Sequence, residues 1–184
     1  MSVTTDARPF SATLRASTLQ VHEKANYSTY MRALLGGEFV FDELRRLPRL
    51  ERDLAHLVGP DWRSTISPLA STRAYVARVG EASSWAGGYV AHHYTRYLGD
   101  IAGGQAIRRL LEKKYDVAEA GTLFYHFEGI GSAPRFRDRY RAKLDNAPWD
   151  EADRARVIDE TLVAFECNVA VFEELASRLD EYRA

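Results

Sequence analysis

The residues best placed to do chemistry lie in one stretch, Tyr94-Thr95-Arg96-Tyr97-Leu98-Gly99-Asp100-Ile101-Ala102-Gly103-Gly104-Gln105. Asp100 is a carboxylate set among Leu98, Ile101 and three glycines, one turn after Arg96 and Tyr97. A carboxylate buried there needs partners, and a partnered carboxylate can hold or pass protons. Gly99 and Gly103 are four residues apart and share one helix face. With no Cβ at either position, a flat macrocycle can lie directly on the backbone. Taken alone, Gly-x-x-x-Gly favours tight helix packing instead, and a solvent-facing Asp100 would need no special role. A macrocycle with a metal also needs a ligand on its other side. The histidines are His22, His56, His92, His93 and His126. Asn26, four residues after His22, can orient that ring by hydrogen bond, but spacing does not by itself choose His22 among the five.

Other chemistries fit less well. A carboxylate-bridged di-iron bundle needs two Glu-x-x-His pairs. The chain offers only Asp53-x-x-His56. Cys167, between Phe165 and Val169, reads as an inert buried thiol in an apolar helix.

The elements that must position these residues read as helices throughout. Residues 1–9 read as a loose tail. Ser11 can cap a helix carrying Leu14, Leu19, Val21 and Ala25, resumed through Leu35 after an interruption near Asn26. Gly36-Gly37 is a stop. Leu44, Leu47, Leu50, Leu54 and Leu57 form a stripe divided at Pro48, which starts the second piece. Gly59-Pro60 ends it, and Asp61 opens a short turn containing Trp62. Pro68 introduces a helix with Tyr75, Val76 and Val79 on one face. Apolar spacing predicts a long helix from about Ser84 to Tyr115, although each glycine inside it costs about 1 kcal/mol relative to alanine. Residues 116–131 are irregular, with Phe124, Tyr125 and Phe127 clustered. A helix follows over 132–145. Pro148 and Asp150 introduce the last one, with Val157, Ile158, Leu162, Phe165, Val169, Phe172 and Leu175 at core spacing. The fold class expected is all-α, in one domain over 1–184.

Composition narrows the setting. The chain has 184 residues and is 46% hydrophobic, enough for one domain with a real core. A net charge of −1 gives no general reason to expect nucleic acid or an anionic membrane as partner. The single cysteine rules out an internal disulfide and suits a reducing compartment. No apolar run is long enough to span a bilayer, and the polar N-terminus does not read as a signal peptide. The expectation is a soluble, cytoplasmic protein.

Tyr94 to Gln105 closely resembles the signature of the heme oxygenases. Leu19-Gln20-Val21-His22-Glu23-Lys24-Ala25 resembles that family's proximal helix. Gly59-Pro60-Asp61-Trp62 and the segment from Phe165-Glu166-Cys167-Asn168 to Phe172-Glu173-Glu174-Leu175 follow in the family's order. The resemblance implies a single-domain helical bundle with heme b (iron protoporphyrin IX) between a proximal helix and a kinked distal helix. His22 would be the metal ligand, with Asn26 beside it. Gly99 and Gly103 would press on the distal face. Asp100, with Arg96, Tyr97 and Asn168 nearby, would hold the network that delivers protons. Arg15, Tyr94, Arg137 and Arg141 would contact the propionates, and Phe165 would line the pocket. Arg137 and Arg141 otherwise read as part of a solvated basic face with Arg135, Arg139 and Lys143.

The activity implied is oxidative opening of heme, with O2 and reducing equivalents, to biliverdin, carbon monoxide and ferrous iron. Heme serves as both substrate and cofactor. An electron donor, either a ferredoxin or an NAD(P)H-dependent reductase, is implied as partner. A heme-binding or heme-transfer protein that kept the fold without efficient turnover is the alternative.

Two departures stand out. Asn26 stands where the best-known relatives have Glu, which makes the partner of the imidazole neutral. The second is that Phe39-Val40-Phe41-Asp42-Glu43-Leu44 follows Glu38 directly, where the family inserts a helix and its loop, about two dozen residues or more. That helix would supply a tyrosine to the distal network, and this reading finds no counterpart for it. Its absence would expose an apolar stripe of hundreds of square ångströms behind the proximal helix.

Overall fold

The computed structural model describes Ala12, Thr13, Ala16, Ser17 and residues 39–114 and 117–182, and among these every regular element is helical. A 3-10 turn at Asp42–Leu44 leads into α1 (Leu47–Val58), which has Pro48 in its first turn and ends at Gly59, where φ is 97°. The short α2 (Trp62–Thr65) and then α3 (Ala70–Ala82) follow. Next come α4 (Ala86–His93), a π-helical turn at Tyr94–Leu98 and α5 (Gly99–Lys114). Three 3-10 turns occupy Glu119–Gly121, Leu123–Tyr125 and Glu128–Ile130. The chain closes with α6 (Ala133–Asp145), α7 (Glu151–Ser177) and a 3-10 turn at Leu179–Tyr182. Asp150 caps α7 by accepting from the Asp153 N–H at 2.8 Å.

Among the described residues the expected boundaries hold to within a residue or two; those of the first helix, from Ser11 to Gly36-Gly37, lie outside them. The long helix is the informative case. It runs as predicted, but its irregular turn precedes the glycines, which are themselves α-helical. Thr95 Oγ1 donates back to the Ala91 carbonyl at 2.9 Å. Such a bond competes with the backbone ladder and favours an irregular turn there.

Burial follows the apolar stripes in three clusters. One joins Ala12 and Ala16 to Leu50, Leu54, Trp62, Leu111 and Phe124. A second sets Phe39 and Leu44 against Tyr89, Tyr97, Leu98, Ile101 and Tyr140. A third packs Tyr75 and Val79 of α3 against Val171 and Leu175 of α7. Two buried charges pin the irregular segment 117–131. Asp53 accepts from the backbone N–H groups of Leu123 at 2.8 Å and Phe124 at 3.0 Å. Arg46 donates to the His126 carbonyl at 2.5 Å and stacks over the Phe127 ring at 4.5 Å. Burial lowers its guanidinium to about 10.

The last helix corrects the sequence reading. Leu175 is buried, but Ile158, Leu162, Phe165, Val169 and Phe172 are each more than half exposed. Their spacing was read as core spacing, yet α7 buries the face carrying Glu160, Ala164, Val171 and Leu175. Both faces are apolar, and periodicity does not say which one finds a neighbour. The face behind the first helix, where an exposed stripe was expected, lies outside the described residues; among these, an exposed apolar stripe is on α7.

Candidate functional site

Gly99 and Gly103 sit on the first two turns of α5, and a Cβ built on either meets nothing within 4 Å. Ala102 and Ala106 are also exposed on this helix, and Ile107 and Leu110 are 37% and 49% exposed. The described residues thus leave a strip of bare backbone bordered by small and apolar side chains. Gly104 is different: a Cβ there would lie 2.7 Å from Tyr125 Cδ1. Gln105 Nε2 donates to the Tyr125 carbonyl at 2.6 Å beside it. One glycine therefore lets α5 dock on the 123–125 turn, while the other two keep a surface clear.

Beside the clear strip, Arg96 Nε lies 3.6 Å from Asp100 Oδ2, and both side chains are largely buried. The turn before Gly99 places them one helical turn apart on one face. Arg96 Nη1 reaches across to α7 and donates to Asn168 Oδ1 at 2.5 Å. Asn168 Nδ2 in turn donates to the Ala164 carbonyl at 2.8 Å and to the Tyr75 hydroxyl at 3.2 Å. Burial alone would pull the Arg96 guanidinium down. The Asp100 carboxylate, with Tyr75, Tyr125 and Tyr97, outweighs it and leaves the group raised. Burial raises the Tyr75 phenol, so it stays neutral and can both donate and accept. Tyr75 of α3, Asn168 of α7 and Arg96 are thereby joined by hydrogen bonds, and an ion pair links Arg96 to Asp100 of α5.

The structure brings together Arg96, Asp100 and Asn168, as the sequence reading grouped them. Tyr97 is instead buried in the aromatic core, its ring 4.4 Å from that of His93. Burial drives its phenol upward, so it is a neutral group. Tyr94 is half-buried with Leu144, Trp149 and Leu162 around a groove, and Arg141 is exposed, 3.8 Å from Asp138. Among the described residues no hydrogen bond links Tyr94, Arg137 or Arg141 to the Arg96–Asp100 pair. Among the described residues no protein carboxylate bridges Arg137 and Arg141, and half-buried Arg137 has an Nε atom without a hydrogen-bond partner. Arg15, His22, Asn26 and the Glu38–Phe39 junction lie outside the described residues.

His92 and His93 are engaged within the core. His92 is buried with Nε2 2.9 Å from Glu160 Oε1, and Arg78 also donates to Glu160 from Nε at 2.9 Å. His93 Nδ1 is 2.9 Å from the Tyr140 hydroxyl. Cys167 is half-buried, its thiol pushed up by that burial, as expected of an inert sulfur. No group of three or more His, Cys, Asp and Glu forms a metal cluster among the described residues. None of their helices is long and apolar enough to cross a membrane.

Sequence reasoning missed Tyr75 as a member of the network. It was visible as a core residue of α3, but nothing local says that its hydroxyl meets Asn168, 93 residues away. The tyrosine for which no counterpart was found belongs to the family's inserted helix; Tyr75 reaches the network from a different helix, α3.

A family model described as heme oxygenase matches residues 37–174. Heme oxygenase 1 of Synechocystis sp. is 38% identical over 140 residues, which cover 76% of this chain and 58% of that protein. Heme oxygenase 1 of Homo sapiens is 38% identical over 141 residues, covering 75% of this chain and 49% of that protein. These matches span about half to three-fifths of the curated relatives' length. The crystal structure of heme oxygenase-1 from Synechocystis in complex with heme superposes with a TM-score of 0.82 at 32% identity, covering 96% of this chain and 79% of that one. Heme oxygenase from Leptospira interrogans gives a TM-score of 0.76 at 27% identity, covering 95% of this chain and 84% of that one.

Proposed function

This chain belongs to the heme oxygenase family, and we propose that it binds heme b and opens it, with O2 and reducing equivalents, to biliverdin, carbon monoxide and ferrous iron. The observation that carries this reading is the pairing of a bare backbone strip at Gly99 and Gly103 with the Asp100–Arg96–Asn168 chain at its edge. The strip fits a flat, largely apolar ring, because a Cβ at either glycine would stand in the space the ring takes. Heme, once bound, supplies the oxygen chemistry, and it is consumed as the substrate.

Each residue then has a defined task. His22 is the proposed iron ligand, with Asn26 turning its ring. Gly99 and Gly103 set the distance between backbone and ring. Asp100 holds ordered water and moves protons toward the distal face through a carboxylate oxygen. Arg96 fixes that carboxylate, and Asn168 with Tyr75 fixes Arg96, so the acid is positioned by three helices. Arg15, Tyr94, Arg137 and Arg141 hold the propionates, and Phe165 lines the pocket. An external electron donor, a ferredoxin or an NAD(P)H-dependent reductase, completes the reaction.

Titration with hemin followed by a reductant under oxygen tests the reading. Growth of a Soret band that His22→Ala perturbs, then its loss with appearance of biliverdin, is the expected result. A stable ferrous or oxy complex without biliverdin would make the protein a heme carrier. No Soret shift at all would remove heme from the account.

A further inference from the structure

The two sides of α5 meet different surroundings. At about 100° per residue, Gly99, Gly103, Ala106 and Leu110 fall on one side of the helix. All four are exposed and form the clear strip. Gly104, Gln105, Arg108 and Leu111 fall on the opposite side, which is seated on the turn 122–126. Gly104 lies against the Tyr125 ring, where a Cβ would stand 2.7 Å from Cδ1. The helix therefore docks as closely as its backbone allows.

Side chains of α5 clasp the turn on this side. Gln105 Nε2 donates to the Tyr125 carbonyl at 2.6 Å, and Arg108 Nη1 donates to His126 Nε2 at 3.1 Å. Glu112 accepts from Thr122 Oγ1 at 3.0 Å. The far side of the turn is anchored on α1 and the residue before it. Asp53 accepts from the Leu123 and Phe124 N–H groups, and Arg46 donates to the His126 carbonyl. The turn is thus held by α1 independently of α5. A regular helix moves as a rod, so a shift of its clasped side carries the glycine side with it.

The second clasp depends on a proton. Arginine has no acceptor, so His126 must accept at Nε2 as a neutral ring with its hydrogen on Nδ1. A protonated ring loses that acceptor and sets an imidazolium against the guanidinium. The charged groups around it are Arg108 and Glu112 on α5, Arg46, Arg49 and Asp53 at α1, and Glu128 on its own segment. The carboxylates are already engaged: Glu128 with Arg49, Glu112 with Thr122, and Asp53 with the turn's N–H groups.

We propose that the turn 122–126 is a brace that sets where the α5 backbone stands against bound heme. Gln105 and the Arg108–His126 pair are its positioning residues, and the second clasp holds only while His126 is neutral. This rests on the reading of Gly99 and Gly103 as the heme face.

The test is hemin titration of the full chain, followed by the Soret band, beside urea unfolding of the same proteins without hemin. Gln105→Met keeps the side chain's length but not its donor, and should weaken hemin binding about tenfold. A bond that is merely structural would lower the urea midpoint and leave hemin affinity unchanged; that result overturns the brace. His126→Gln keeps an acceptor that takes no proton. Its affinity should match the unaltered chain at about pH 8, where an imidazole is neutral, and exceed it about fivefold at about pH 5.5. His126→Phe should bind weakly at both. Groups common to these chains cancel in the ratios, so equal pH dependence in the unaltered and Gln chains also overturns the proposal. Circular dichroism checks each fold, and if Gln105→Met does not fold, the His126 ratios decide alone. No Soret shift in the unaltered chain removes the heme reading, and the brace with it, which separates that failure from failure of the brace alone.

Discussion

Arg96 joins two helices and one acid at once: Nη1 donates to Asn168 on α7 at 2.5 Å, while Nε lies 3.6 Å from Asp100 on α5. The charge-assisted hydrogen bond and the ion pair act on different nitrogens and together orient the guanidinium. Asp100 is therefore held by a residue whose own position depends on a helix 72 residues away in sequence. Asp100→Ala should keep heme, with an intact Soret band, and lower the yield of biliverdin about 100-fold. Asn168→Ala should give a smaller loss by freeing Arg96 to move. Unchanged biliverdin in Asp100→Ala would end the role assigned to that carboxylate.

The three glycines of α5 should separate stability from binding. Gly99 and Gly103 have no neighbour within 4 Å of a Cβ, so alanine there should stabilise the helix by about 1 kcal/mol each. The same changes should weaken hemin affinity. Gly104→Ala drives a Cβ toward Tyr125 and should cost about 1–3 kcal/mol. Urea denaturation alongside hemin titration reads both effects. Equal hemin affinity in Gly103→Ala would mean that the clear strip is not the binding face.

Asp53 is fully buried and accepts two backbone N–H groups from the Leu123–Tyr125 turn. Asp53→Ala leaves both donors without that acceptor, at a cost of about 1–3 kcal/mol each. The midpoint of chemical unfolding should fall accordingly, and protease should cut first in 117–131. An unchanged midpoint would show that the turn is held by other bonds.

Acid should destabilise the protein in two steps. Burial, opposed by Glu160, holds His92 below its ordinary 6.5, so the unfolded chain takes up a proton that the folded one refuses. Stability then falls as pH drops through 6.5. Burial would raise Glu160, but its hydrogen bonds from Arg78 and His92 outweigh that and hold it below 4.5. Its contribution is present above 4.5 and is lost as pH falls toward the lower folded value. His92→Gln should flatten the first decline in Tm, on the order of 3 °C between about pH 7 and pH 5. A decline of the same size in His92→Gln would assign it to other groups.

Much of the protein is legible in the sequence because its signals are local. Pro48, Gly59 and Asp150 mark helix ends through φ constraints and capping that need no distant partner. The 3.6-residue spacing of apolar side chains gave the helices their extent, and the stretch Tyr94–Gln105 announced an unusual wall. The pairing of Arg96 with Asp100 is also local, a matter of one helical turn.

What only the tertiary structure decided depends on residues far apart. Tyr75 enters the network because α3 and α7 pack together, a contact that no spacing in either helix encodes. The roles of Gly103 and Gly104 separate only once the Tyr125 ring is placed against one of them. The same is true of α7, whose two apolar faces look alike in sequence. Ala164 and Val171 are buried and Leu162 and Val169 exposed because burial depends on which neighbours are present, while periodicity reports only that a face is apolar.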